Sequence, residues 1–75
     1  MFNEDVEFMA SVAQKDCDNH RSFLAFHKSL EDRGVTWSVT RTRNLLEGIM
    51  KFDTANELCE IYGIVRGDNG RLKIK

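Results

Sequence analysis

A chain of 75 residues with no proline, 41% hydrophobic residues and a net charge of −1 describes one small folded domain spanning residues 1–75, and excludes a disordered segment. No apolar run approaches the roughly 20 residues that span a bilayer. The acidic start Met1-Phe-Asn-Glu-Asp is unlike the basic opening of a signal peptide, so a soluble, cytoplasmic protein is expected.

The first predicted element is an amphipathic helix from about Glu4 to about Asp16. Phe2, Val6, Met9 and Val12-Ala13 recur at three- and four-residue steps, Asn3 is a cap, and Glu4, Asp5 and Glu7 suit the positive end of the helix dipole. Lys15-Asp-Cys-Asp-Asn-His20 then reads as a polar interhelix turn. It holds a Cys, two Asp and a His, but lacks ligands at the spacing a metal site needs. With no CxxC pair and no export signal, Cys17 and Cys59 are expected to be reduced thiols, Cys59 as a small core residue.

The second helix runs from Asn19 to Arg33, capped by Asp18 or Asn19. Phe23, Phe26, His27 and Leu30 form its apolar face with Leu24 beside it, and Gly34 supplies the left-handed stop. His27 on that face reads as a packed, hydrogen-bonded core histidine. The third helix is expected over Thr36 to Lys51, with Val35 as a hydrophobic staple before a Thr36 or Ser38 cap. Val39, Leu46 and Ile49-Met50 would face inward with Leu45 at the border, and Arg41, Asn44 and Glu47-Gly48 outward.

A fourth, short helix follows over Ala55 to Tyr62, capped by Asp53 or Thr54, with Leu58, Ile61 and Tyr62 inward. Gly67-Asp-Asn-Gly70 is a turn signal, and Arg71-Leu-Lys-Ile-Lys75 alternates with period two. Together they predict a β-hairpin that directs Ile64, Leu72 and Ile74 to the core. The expected fold is mainly α: three to four short helices in a small bundle with a C-terminal hairpin.

Catalysis finds no support in the residues. There is no Gly-x-Ser-x-Gly elbow, no phosphate-cradling glycine loop and no His-Glu-x-x-His, and neither a cofactor nor a metal is implied. Charge is distributed more tellingly than its sum. Residues 1–20 hold five acids and one base, residues 33–51 four bases and one acid, and residues 66–75 four bases and one acid. A one-faced basic patch would form if the two later blocks met in space.

The polar-basic start of the third helix points to DNA. Arg41 and Asn44 are candidates for base edges, and Thr36, Ser38, Thr40 and Arg43 for phosphates. With the second helix as support and Gly34-Val35 as turn, residues 19–75 resemble a winged helix-turn-helix domain. That resemblance implies that the basic hairpin, with Arg66, Arg71, Lys73 and Lys75, is a wing on the flanking backbone. A standard wing follows the recognition helix directly, whereas here Asp53 to Tyr62 intervenes. A second register also resembles a helix-turn-helix, of the transposase type. Glu57-Leu-Cys-Glu-Ile-Tyr-Gly-Ile64 would be its first helix and turn, and residues 65–75 its reader.

The alternative class is a protein-interaction module, of the kind small phage and bacterial regulators use to modulate a larger host protein such as the transcription machinery. Ser22-Phe-Leu-Ala-Phe and Gly34-Val-Thr distantly resemble a segment of the phage anti-sigma protein family. On that reading Trp37, Phe2 and Phe8 would be exposed anchors; otherwise all three belong to the core. A homodimer through the acidic first helix would serve either class. One arrangement separates the two readings. Arg41, Arg43, Arg66, Arg71 and Lys73 on one face favour DNA, whereas interruption by Asp53, Glu57 and Glu60 favours a protein partner.

Overall fold

The computed structural model describes residues 3–75, so the expectations for Phe2 lie outside the described residues. Four helices, α1 (Asn3–Asp18), α2 (Phe23–Asp32), α3 (Val39–Leu46) and α4 (Phe52–Tyr62), precede two short strands, β1 (Ile64–Arg66) and β2 (Leu72–Ile74). The mainly α fold with a C-terminal hairpin is the one the sequence patterns predict. Helix α1 packs against α2, α3 and α4, and the hairpin lies on α4 through β1.

Phe26, Leu45, Leu58, Leu30 and Met9 are core side chains that are nearly or wholly inaccessible. They come from all four helices, so no pair of helices holds a core alone. Burying each such side chain contributes about 1.5–3 kcal/mol. Trp37 and Val35, in the connector between α2 and α3, are also buried, which tethers that connector to the core.

Helix ends account for most differences from the expected boundaries. Helix α1 continues through Cys17 to Asp18, so the interhelix turn shrinks to residues 19–22. Asp18 and Asn19 are therefore not the caps of α2. Ser22, in extended backbone, takes that role and accepts the Ala25 N–H at 3.1 Å. At the other end Gly34 adopts a φ of +99°, and the N–H groups of Gly34 and Val35 donate to the carbonyls of Glu31 and Leu30. This is the Schellman pattern that the Arg33-Gly34 pair suggests.

Helix α3 is half the expected length. Ser38 rather than Thr36 caps it, accepting the Arg41 N–H at 3.1 Å. The same glycine device recurs at its end. Gly48 has a φ of +82°, and Gly48 and Ile49 donate to Leu45 and Asn44. The periodicity read through Ile49-Met50 thus crosses a helix stop and does not belong to one face. Leu45, assigned to the border, is fully buried beside Thr42, while Val39 and Ile49 are 39% and 60% exposed.

Helix α4 begins earlier, at Phe52, with Lys51 as a cap that makes no side-chain hydrogen bond. Asp53 Oδ1 instead accepts the Thr54 N–H at 2.8 Å, one residue inside the helix. The hairpin pairs Ile64 with Ile74, Val65 with Lys73 and Arg66 with Leu72. Ile64 is buried and Leu72 half-buried, but Ile74 is 53% exposed, in an open groove that it lines with Phe8, Val12 and Tyr62. Strand formation at residues 64–66 and 72–74 overturns the transposase-type register, which needs a reader helix there.

Candidate nucleic-acid interface

Three features fix the orientation of α3. The first is a buried hydrogen bond between His27 Nδ1 and Thr42 Oγ1, 2.9 Å apart. Thr42 gives its single hydroxyl proton to the carbonyl of Ser38 at 3.1 Å, so it can only accept from the imidazole. His27 therefore carries its proton on Nδ1, and its Nε2 faces Glu31 at 3.8 Å. His27 is the packed, bonded histidine expected from its place on the apolar face of α2.

The second feature is Arg41. Its side chain turns toward α4, where Nε donates to the fully buried Thr54 hydroxyl and Nη2 lies 2.9 Å from Asp53 Oδ1. The Arg41 guanidinium, with help from the Thr54 N–H, holds the Asp53 carboxyl below its ordinary range. The third is Arg43, two residues on and therefore on another flank of the helix. Its guanidinium lies 4.7 Å from the centre of the Phe23 ring, and the residue remains exposed with no carboxylate partner among the described residues.

The nominated residues consequently divide into three groups. Thr36, Ser38, Thr40 and Arg43 are exposed at the front and outer flank of α3, with Thr36 and Ser38 in the connector rather than in the helix. Arg41 and Asn44 line a groove of about 420 Å³ between α3 and α4, together with Ser38, Thr40, Met50, Lys51 and Asp53. Arg66, Arg71 and Lys73 sit on the hairpin, where Arg66 is tied to α1. Arg66 Nη2 lies 3.0 Å from Oδ2 of the buried Asp5, and Nη1 donates to the Gly70 carbonyl. Arg71 lines a small recess with Glu4 and Asp5.

Acids thus stand among the five cations. Asp53 neutralises Arg41, and the acidic start of α1 stands beside the hairpin. The wing expectation assigned Arg66 to a flanking phosphate; the structure binds it to Asp5 instead. Asp5 itself was read only as a favourable charge at a helix start. Arg66 is the one cation on the strand face shared with Ile64, and that was the signal for an internal partner.

No family model, curated protein or solved structure matches the chain. The geometry therefore stands alone.

Trp37, the proposed exposed anchor for a protein, is only 3% exposed and belongs to the core, and Phe8 is half-buried against it. Exposed apolar side chains lie elsewhere. Ile49 and Phe52, 60% and 69% exposed, flank Lys51 in the segment that joins α3 to α4. Sequence periodicity assigned Ile49 inward and passed over Phe52, since only the Gly48 stop shows that both leave the helix face.

A second polar cluster is structural. Asp16 receives the Tyr62 hydroxyl and stands 3.3 Å from His20 and 3.4 Å from Arg33. Burial, reinforced by Asp16, pushes the Tyr62 hydroxyl far above its ordinary pKa. Cys17 and Cys59 are half-buried free thiols, each raised chiefly by burial. Among the described residues no helix is long and apolar enough to cross a membrane.

Proposed function

We propose that the protein is a small DNA-binding regulator of the helix-turn-helix type, reading through the front and outer flank of α3. The observation that carries this reading is the exposed, unpaired Arg43 beside Thr40, three residues before it on the same helix face. Ser38 and Thr36 add hydroxyl donors on the approach to the helix. Arg43 and the hydroxyls suit phosphates, while Thr40 and Asn44 remain for base edges. The packing of α3 against both α1 and α2 supports it as well, because a reader helix needs a rigid backing. The hairpin cations contribute only general attraction in this reading, since Arg66 is engaged by Asp5.

Titration of duplex DNA at about 50 and 200 mM salt tests it. The expected result is binding at the lower salt that weakens steeply at the higher. Absence of binding at the lower salt rejects the reading, because phosphate contacts are strongest there.

A protein-interaction module is the second reading, favoured by the exposure of Ile49 and Phe52 and by the neutralisation of Arg41. Apolar anchors framed by charged residues are the usual composition of a docking surface. Its test is capture of a larger protein that is lost on Phe52→Ala. Trp37→Ala cannot serve, because it would open the core.

A further inference from the structure

We propose that Asn69 is a self-modification site, converted without an enzyme to aspartate and isoaspartate through a cyclic imide with Gly70. The inference does not depend on DNA binding. It starts from the turn Gly67-Asp-Asn-Gly70, whose residues 68–70 are exposed. An asparagine can close on the backbone nitrogen of the next residue, and a side chain on that residue stands in the way. Of the five asparagines only Asn69 precedes a glycine. Asn3, Asn44 and Asn56 also stand in helices, whose fixed dihedrals keep that nitrogen away from the side-chain carbon. Asn19 precedes the bulky His20.

The turn does more than expose the dipeptide. Asn69 Oδ1 accepts the Arg71 N–H at 3.0 Å, an Asx turn that folds the side-chain carbonyl over the Gly70 peptide. The same N–H points at the oxygen on which negative charge develops when the carbonyl is attacked. That donor is strengthened from behind. Arg66 Nη1 donates to the Gly70 carbonyl, which belongs to the same peptide group as the Arg71 N–H. Chained hydrogen bonds polarise one another, so the guanidinium sharpens the donor at Oδ1. Arg66 is itself held by Asp5, whose Oδ2 lies 3.0 Å from Nη2. A line of contacts thus runs from α1 through β1 to the reacting amide. Gly70 has a φ of +81°, and a Cβ there would meet nothing within 4 Å, so its nitrogen is open to approach Asn69 Cγ.

The step balances with water as the only co-reactant. Hydroxide takes the Gly70 N–H proton, which ends its bond to the Gly67 carbonyl. The nitrogen attacks Cγ of Asn69, and the new C–N bond places the negative charge on Oδ1. Collapse breaks the Cγ–Nδ2 bond, and Nδ2 leaves as ammonia with a proton from water, which regenerates hydroxide. Water then opens the ring. Addition at Cγ gives aspartate, whereas addition at the Asn69 backbone carbonyl gives isoaspartate, with the chain running through Cγ. Aspartate adds a negative charge beside Asp68 on the basic hairpin. Isoaspartate inserts a methylene into the turn that the Gly67 N–H closes onto the Arg71 carbonyl at 2.7 Å. It therefore loosens the neighbouring Arg66–Leu72 pair of the hairpin.

Incubation of the folded protein at neutral and mildly alkaline pH, followed by peptide mapping with mass spectrometry, tests the proposal. The expected result is conversion at Asn69 alone, faster at the higher pH, with aspartate and isoaspartate resolved as separate peptides. The folded-state rate should exceed the rate in denaturant at the same pH, where the Arg71 donor is lost. Gly70→Ala should slow conversion severalfold in both states. Arg66→Lys keeps a cation for Asp5 but lacks the fork that bridges Asp5 and Gly70. It should slow the folded-state reaction severalfold and leave the rate in denaturant unchanged. Earlier conversion at another asparagine overturns the proposal, as does a folded-state rate no higher than the rate in denaturant. An unchanged folded-state rate in Arg66→Lys overturns it as well.

Discussion

The two flanks of α3 carry the same residue type to different ends. On the inner flank Arg41 meets Thr54 and Asp53 and becomes part of the scaffold that holds α3 to α4. On the outer flank Arg43 covers the Phe23 ring and keeps its guanidinium free. They stand two positions apart on one helix. An arginine near the start of a helix is left available to a partner only when nothing acidic stands opposite, and here what stands opposite Arg41 is supplied by the following element.

Substitutions sharpen that contrast. Leu45→Ala, on the buried side, should cost about 2–5 kcal/mol and come close to unfolding so small a domain, seen as a large loss in a chemical denaturation midpoint. Thr42→Val should cost about 1–3 kcal/mol, because the buried His27 Nδ1–H loses its acceptor. Arg41→Ala should cost about 1 kcal/mol, mostly through the buried Thr54 hydroxyl that it leaves without its donor. Arg43→Ala should alter stability by no more than about 0.5 kcal/mol, as expected for an exposed side chain. Equal destabilisation by the two arginine variants would erase the distinction between the flanks.

Acid offers a subtler separation. The folded-state pKa of Asp53 is depressed, so its contribution is present at neutral pH and is lost as pH falls through that lowered value. Acid titration of the thermal midpoint should therefore show a smaller loss in Asp53→Asn than in the wild type. Identical profiles would mean that Asp53 and Arg41 are not coupled in solution.

The hairpin, the four helices and most of the core were legible because each rests on local chemistry. Phe26, His27 and Leu30 recur at helical spacing, and Gly67-Asp-Asn-Gly70 permits little besides a turn. The length of α3 was not, since Gly48 inside an apolar period looks like any tolerated glycine until its positive φ is known. The ion pairs of Arg41 and Arg66 were not legible for a different reason. Their partners, Asp53 and Asp5, are 12 and 61 positions away, and no periodicity encodes a contact of that kind. The exposed Thr40 and Arg43 needed no such partner, so their outward placement followed from the helix alone.

The most direct test compares duplex DNA affinity for the wild type, Arg41→Ala and Arg43→Ala across a salt series. Arg43→Ala is expected to weaken binding and to reduce the slope of log K against log salt by about 0.9, the loss of one phosphate contact. Arg41→Ala is expected to retain the wild-type slope. A slope unchanged by Arg43→Ala, or lowered equally by both variants, would contradict the account.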